Sequence, residues 1–100
     1  MATTSKTLYR GAASLTSATL YTTPSLTTTV VTNIVITNTT VSPQTFTLVM
    51  GGTTLADTVT VGNNDSTVID LKQVLTATQT ITGLASSTSV NFHIAGIEIA

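Results

Sequence analysis

Apolar residues in this chain return at every second position in short runs, and almost nowhere at every third or fourth. Side chains alternate across a strand with period two and around a helix with period 3.6, so this spacing commits the chain to strands. In QTFTLVM, Phe46, Leu48 and Met50 fall on one side and Thr45, Thr47 and Val49 on the other. In SVNFHIAGIEIA, Val90, Phe92 and Ile94 share a face. Gly96 then reads as a bulge that returns Ile97 and Ile99 to that face. The longest run, Thr27 to Thr40, carries Val30, Ile34 and Ile36 on one face and Val31 and Val35 on the other. Apolar residues on both faces are the pattern of a central or covered strand.

Turn residues punctuate these runs. Thr7 to Arg10 and Ala18 to Thr22 are short, with Gly11 between them and Pro24 after the second, and read as edge strands. Gly51 and Gly52 tolerate positive φ and join two alternating runs as a hairpin. The returning run, Thr53 to Val61, places Leu55, Val59 and Val61 on one face together with Asp57, so either Asp57 lies beyond the core edge or the strand bulges there. Gly62 to Asp65 is a turn by its chemistry. Ser66 to Leu71 reads as a strand, and LKQVL, Leu71 to Leu75, has the spacing of one helical turn. Thr78 to Leu84 makes a further strand centred on Ile81. About eight strands without an ordinary helix predict an all-β fold: a single-domain antiparallel β-sandwich over residues 1–100, immunoglobulin-like or jelly roll in its connections.

Composition narrows the function. Charged residues make up 7% of the chain, against about 25% in ordinary domains. Threonine, at about a quarter of all positions, supplies the polar surface and, being β-branched, suits strands. The three basic residues, Lys6, Arg10 and Lys72, are too few to neutralise a run of phosphates, so nucleic acid is not an expected partner. A net charge of −1 gives little repulsion between copies and points to life in an assembly, with homo-oligomers expected. There is no cysteine, hence no disulfide and no thiolate metal site. The opening MATTSKTLYR lacks the apolar stretch of a signal peptide, and no run is long enough to cross a bilayer as a helix, so the chain is expected to be made and folded in a cytoplasm with no membrane partner.

Catalytic chemistry has few carriers. His93 is the only histidine and falls opposite Phe92 and Ile94, as a half-exposed strand residue. It could pair with Asp57, Asp65 or Asp70, but no nucleophile elbow accompanies it. The loop Gly62 to Ser66 holds one carboxylate and no calcium-loop spacing, so it reads as a turn. Asn38-Thr39-Thr40 and Asn64-Asp65-Ser66 match the glycosylation pattern, expected by chance in a threonine-rich chain. No catalytic residue, metal or cofactor is expected. Rows such as Thr27 to Thr29, with Tyr9 and Tyr21, leave a carbohydrate- or receptor-binding module as the alternative to a purely structural role.

Four segments carry a resemblance: LYRGAASLTSATLYTTP (8–24), VVTNIVITNTT (30–40) with the threonine-rich hairpin that follows, VIDLKQVLTATQTITGLAS (68–86), and NFHIAGIEI (91–99). Together they resemble small virion proteins of tailed bacteriophages, whose pattern runs "gA…tLYt", "i…i.v.Nt", "vL..G..I…as" and "isG.E". Thr78 departs from it, standing where relatives often have glycine followed by an acidic residue. The resemblance implies a non-enzymatic β-sandwich of the virion, made in the bacterial host: a capsid decoration or minor capsid subunit, or a tail component. Its partners would be major capsid or tail subunits. Residues 1–26 would be the docking segment, with Leu8, Tyr9, Leu20 and Tyr21 as the interface.

Overall fold

The computed structural model describes residues 2–100; Met1, at the head of the expected docking segment, lies outside the described residues. The strands are β1 (Thr3–Ala12), β2 (Ala18–Thr22), β3 (Thr28–Asn38), β4 (Gln44–Met50), β5 (Thr53–Val61), β6 (Ser66–Leu75), β7 (Thr80–Ala85) and β8 (Val90–Ile99). They form two four-stranded antiparallel sheets, ordered β1-β8-β3-β6 and β2-β7-β4-β5. Only the β4–β5 hairpin stays within one sheet; every other connection crosses to the opposite one. That order is the eight-stranded jelly roll, which settles the connection order that periodicity left open.

Alternation builds the core as expected along β4 and most of β8. Phe46, Leu48 and Ile81 of the second sheet meet Val31, Ile34, Ile36, Phe92 and Ile94 of the first, all buried. Gly51 and Gly52 turn the hairpin at φ 60° and 82°.

Four expectations fail, and three of them for one reason. The end of β8 is straight, so Gly96 continues the inward series of Val90, Phe92 and Ile94, and Ile97 and Ile99 face outward. The bulges lie in its neighbours. Between Thr7 and Tyr9, β1 inserts Leu8 opposite the step from Ala95 to Ile94, and β3 inserts Thr32 opposite the step from Gly96 to Ala95. The β3 bulge resets its phase, so Val31 is buried with Ile34 and Ile36, while Val30 faces out beside Ile97. In β5 the strand bulges at Asp57 and Thr58, one of the two readings its pattern allowed, with Thr58 at φ 50°; what fails is the common buried face, since a second register shift at Leu55 and the open edge leave Leu55 and Val59 exposed with Val61 buried. The fourth failure is LKQVL: it forms the second half of β6, because pairing of Gln73, Val74 and Leu75 with Val31, Val30 and Thr29 overrides a single turn's helical spacing.

Gly96 shows why the bulges collect there. A Cβ on it would lie 2.5 Å from the Val30 carbonyl oxygen and 2.9 Å from Leu8 Cδ1. The missing side chain admits Leu8 to the core and lets β3 close in.

Candidate docking surface and the cluster between the sheets

The residues that might react are kept apart. His93 is exposed on the outer face of the first sheet, with Arg10 and Val35 as its strand neighbours. Asp70 shares that face but lies on β6, beyond β3, and accepts a hydrogen bond from Asn33 Nδ2 at 3.4 Å. Asp57 is on the second sheet, and Asp65 spends Oδ1 on the Ser66 backbone N–H at 2.8 Å, closing its turn. Among the described residues no three His, Asp or Glu side chains gather as a metal site would need.

Asn38 has a structural task that its place in a glycosylation pattern conceals. It is fully buried at the end of β3. Its Nδ2 donates to the carbonyl oxygens of Ser42, Val61 and Gly62 at 2.9, 3.1 and 3.1 Å, and its Oδ1 accepts from the Thr40 N–H and hydroxyl at 2.9 and 2.7 Å. Thr39 extends the tie by donating to the Ser89 carbonyl at 2.7 Å. One asparagine thus holds the β3–β4 connection to the β5–β6 turn, and its amide is closed to a glycan.

The four interface residues named from sequence lie in the two edge strands β1 and β2. Leu8 and Tyr21 are buried in the domain's own core; Tyr9 and Leu20 are half-buried and pack against it. Tyr9 folds over Gly11 and donates its hydroxyl to the Ala12 carbonyl at 2.7 Å. Within residues 2–26 the large apolar side chains that reach solvent are Leu15 and Leu26, 61% and 92% exposed. Leu15 shares one end of the sandwich with exposed Val41, while Leu26 sits at the other end, with the Gly51-Gly52 hairpin.

Tyr21 belongs to a polar cluster between the sheets that period counting missed. Because β8 is straight, Glu98 continues its inward series and reaches across to β2. Tyr21 Oη donates to Glu98 Oε2 at 2.5 Å, Thr29 Oγ1 lies 2.8 Å from the same Oη, and Lys6 Nζ is 3.3 Å from Glu98 Oε1. With the tyrosine proton committed to the carboxylate, Thr29 acts as donor. Burial, then the bond to Glu98, pushes the Tyr21 hydroxyl from its ordinary value of 10 up to about 12. The Tyr21 bond in turn holds the Glu98 carboxyl below the usual carboxylate range against the opposing effect of burial, and Lys6 helps.

No known family's sequence profile matches the chain, and neither does any curated protein sequence. Solved structures do. A chain from the crystal structure of the T13 particle of IBDV superposes with a TM-score of 0.60 at 11% identity, over 97% of this chain and 30% of that one. A chain from the structure of infectious bursal disease virus Gx strain gives a TM-score of 0.54 at 12% identity, over 97% of this chain and 31% of that one. The chain therefore spans less than a third of each match, and at such identity the likeness is one of fold: the jelly roll seen here recurs inside larger chains of an animal virus.

Proposed function

We propose that this chain is a non-enzymatic structural subunit of a virus particle. The observation that carries the reading is the strand order β1-β8-β3-β6 against β2-β7-β4-β5, in a fold shared over 97% of the chain with chains of a viral particle. Three further points support it: the separation of His93 from every carboxylate it might use, a surface wetted by threonine rather than charge, and the sequence resemblance to small phage virion proteins. Within that reading, the chain decorates or completes the head of a tailed phage, docking through residues 1–26. With Leu8 and Tyr21 drawn into the core, the docking contacts fall to Tyr9 and Leu20 along the two edge strands, supplemented by Leu15 and Leu26. Many weak contacts repeated over a lattice add through multivalency.

The test is rebinding. Labelled protein added to phage heads stripped of their native copy should bind to saturation at a fixed number of sites, and it should leave a glycan array blank. Protein that ignores the stripped heads and binds a sugar would replace this reading with a receptor-binding one.

A further inference from the structure

The four sheet edges are unequally protected. An edge strand exposes unpaired backbone N–H and C=O groups and invites another strand, so edges are ordinarily shortened, bulged or charged with one sign. β1 is bulged at Leu8 and carries two cations, Lys6 and Arg10. β2 has five residues and a register shift. β5 is broken by the positive φ of Thr58. β6 has ten residues, none at positive φ, and although its register against β3 shifts between Asp70 and Gln73, where Leu71 and Lys72 stand opposite Thr32 alone, Ile69 and Leu71 pack inward and Val68, Asp70, Lys72 and Val74 remain exposed on the outer side. Asp70 and Lys72 form no ion pair among the described residues, and Val68 and Val74 are each 58% exposed.

That outward series is its own complement. If β6 of a second copy runs antiparallel alongside, with Leu71 opposite Leu71 and both outer faces on the same side, Val68 faces Val74, Asp70 faces Lys72, and the two-fold axis repeats each pair. Opposite charges and apolar pairs directly across two strands are the favourable cross-strand arrangements. Moving the centre to Asp70 or to Lys72 sets like charges against each other, so the charges select one register. We propose that β6 is a self-pairing edge, joining two copies of this chain into one continuous eight-stranded sheet about a two-fold axis at Leu71. This deepens the reading of the chain as an assembly subunit by naming a contact between copies.

Sedimentation of the full chain over a concentration series tests it, with charge exchange as the probe. Wild type should dimerise reversibly. Asp70→Lys makes the outward row cationic and Lys72→Asp makes it anionic, so each variant alone should dimerise about tenfold more weakly or less. An equimolar mixture of the two restores both pairs and should dimerise as wild type does. Asp70→Asn and Lys72→Gln, milder changes at the same exposed sites, should weaken the dimer without a rescue on mixing. A monomeric wild type, single variants that dimerise undiminished, or a mixture no stronger than its components would overturn the proposal. Dimerisation in solution and rebinding to stripped heads are separate readouts: a chain that dimerises in this register but ignores heads loses the particle reading alone, and one that binds heads without charge rescue loses only the β6 contact.

Discussion

The rings of Phe46 and Phe92 meet edge to face across the two sheets, with centroids 6.3 Å apart and planes inclined at 74°. Both are buried, and each is the largest fully buried side chain of its sheet. Phe92→Ala should therefore cost on the order of 3 to 5 kcal/mol, a large part of the total of about 5 to 15 that a domain has to lose. His93→Ala, one residue on but on the solvent face, should stay within about 0.5 kcal/mol. Urea unfolding of both variants checks the facing of β8.

Asn38 should behave as a core residue despite being polar. Asn38→Ala removes the partner of the buried Val61 carbonyl, of the half-buried Gly62 carbonyl and of two Thr40 donors, and should cost on the order of 3 kcal/mol. Asn38→Asp keeps the Thr40 contacts yet turns a carboxylate toward the Ser42, Val61 and Gly62 carbonyls, so it should be no milder at neutral pH. Thermal melts of the two variants, compared with Thr39→Ala, make the measurement.

Two glycines should separate by cause. Gly96→Ala drives a methyl group into the Val30 carbonyl and should cost about 2 kcal/mol or more, whereas Gly52→Ala meets open space and carries only its φ of 82°, about 1 kcal/mol. Equal melting points for the two would mean that the bulges beside Gly96 are misplaced.

The Tyr21–Glu98 pair sets an alkaline limit. Tyr21 stays protonated in the fold until about pH 12, while in the unfolded chain it ionises near 10. Its raised value therefore costs nothing below pH 10 and removes stability between pH 10 and 12, on the order of 2 to 3 kcal/mol in all. Glu98 runs the other way: its lowered value contributes stability above its ordinary range and loses it as pH falls through the folded value. Tyr21→Phe should flatten the alkaline decline in a pH series of unfolding free energies and weaken the acid one.

Thr78 sits at φ 70°, where a β-branched residue is strained. Thr78→Gly should raise stability by up to about 1 kcal/mol, read as a shift in melting temperature.

Residue spacing revealed strands, hairpin and core wherever a strand kept its phase: Phe46, Leu48 and Met50 along β4, and Val90, Phe92 and Ile94 along β8, are buried as the period requires. The bulge at Asp57 was legible from a carboxylate on the core face; legibility ended at Leu8 and Thr32. A bulge needs no special residue, and every facing on one side of it inverts: the bulge at Thr32 turns Val30 outward, while Gly96, which reads as a bulge, continues a straight strand and so leaves Ile97 and Ile99 outward and Glu98 inward. Leu8 and Tyr21 illustrate a second limit, since an apolar residue in a short outer strand reads the same whether it serves its own core or a partner. Strand order in space has no periodic signature at all.

Electron cryo-microscopy of intact particles from a genome encoding this chain tests its role most directly. A particle subunit should appear as eight-stranded sandwich density at regular positions on the head, with the edge strands β1 and β2 toward the shell. Particles bearing no such density, while the chain remains in the unassembled soluble fraction, would contradict it.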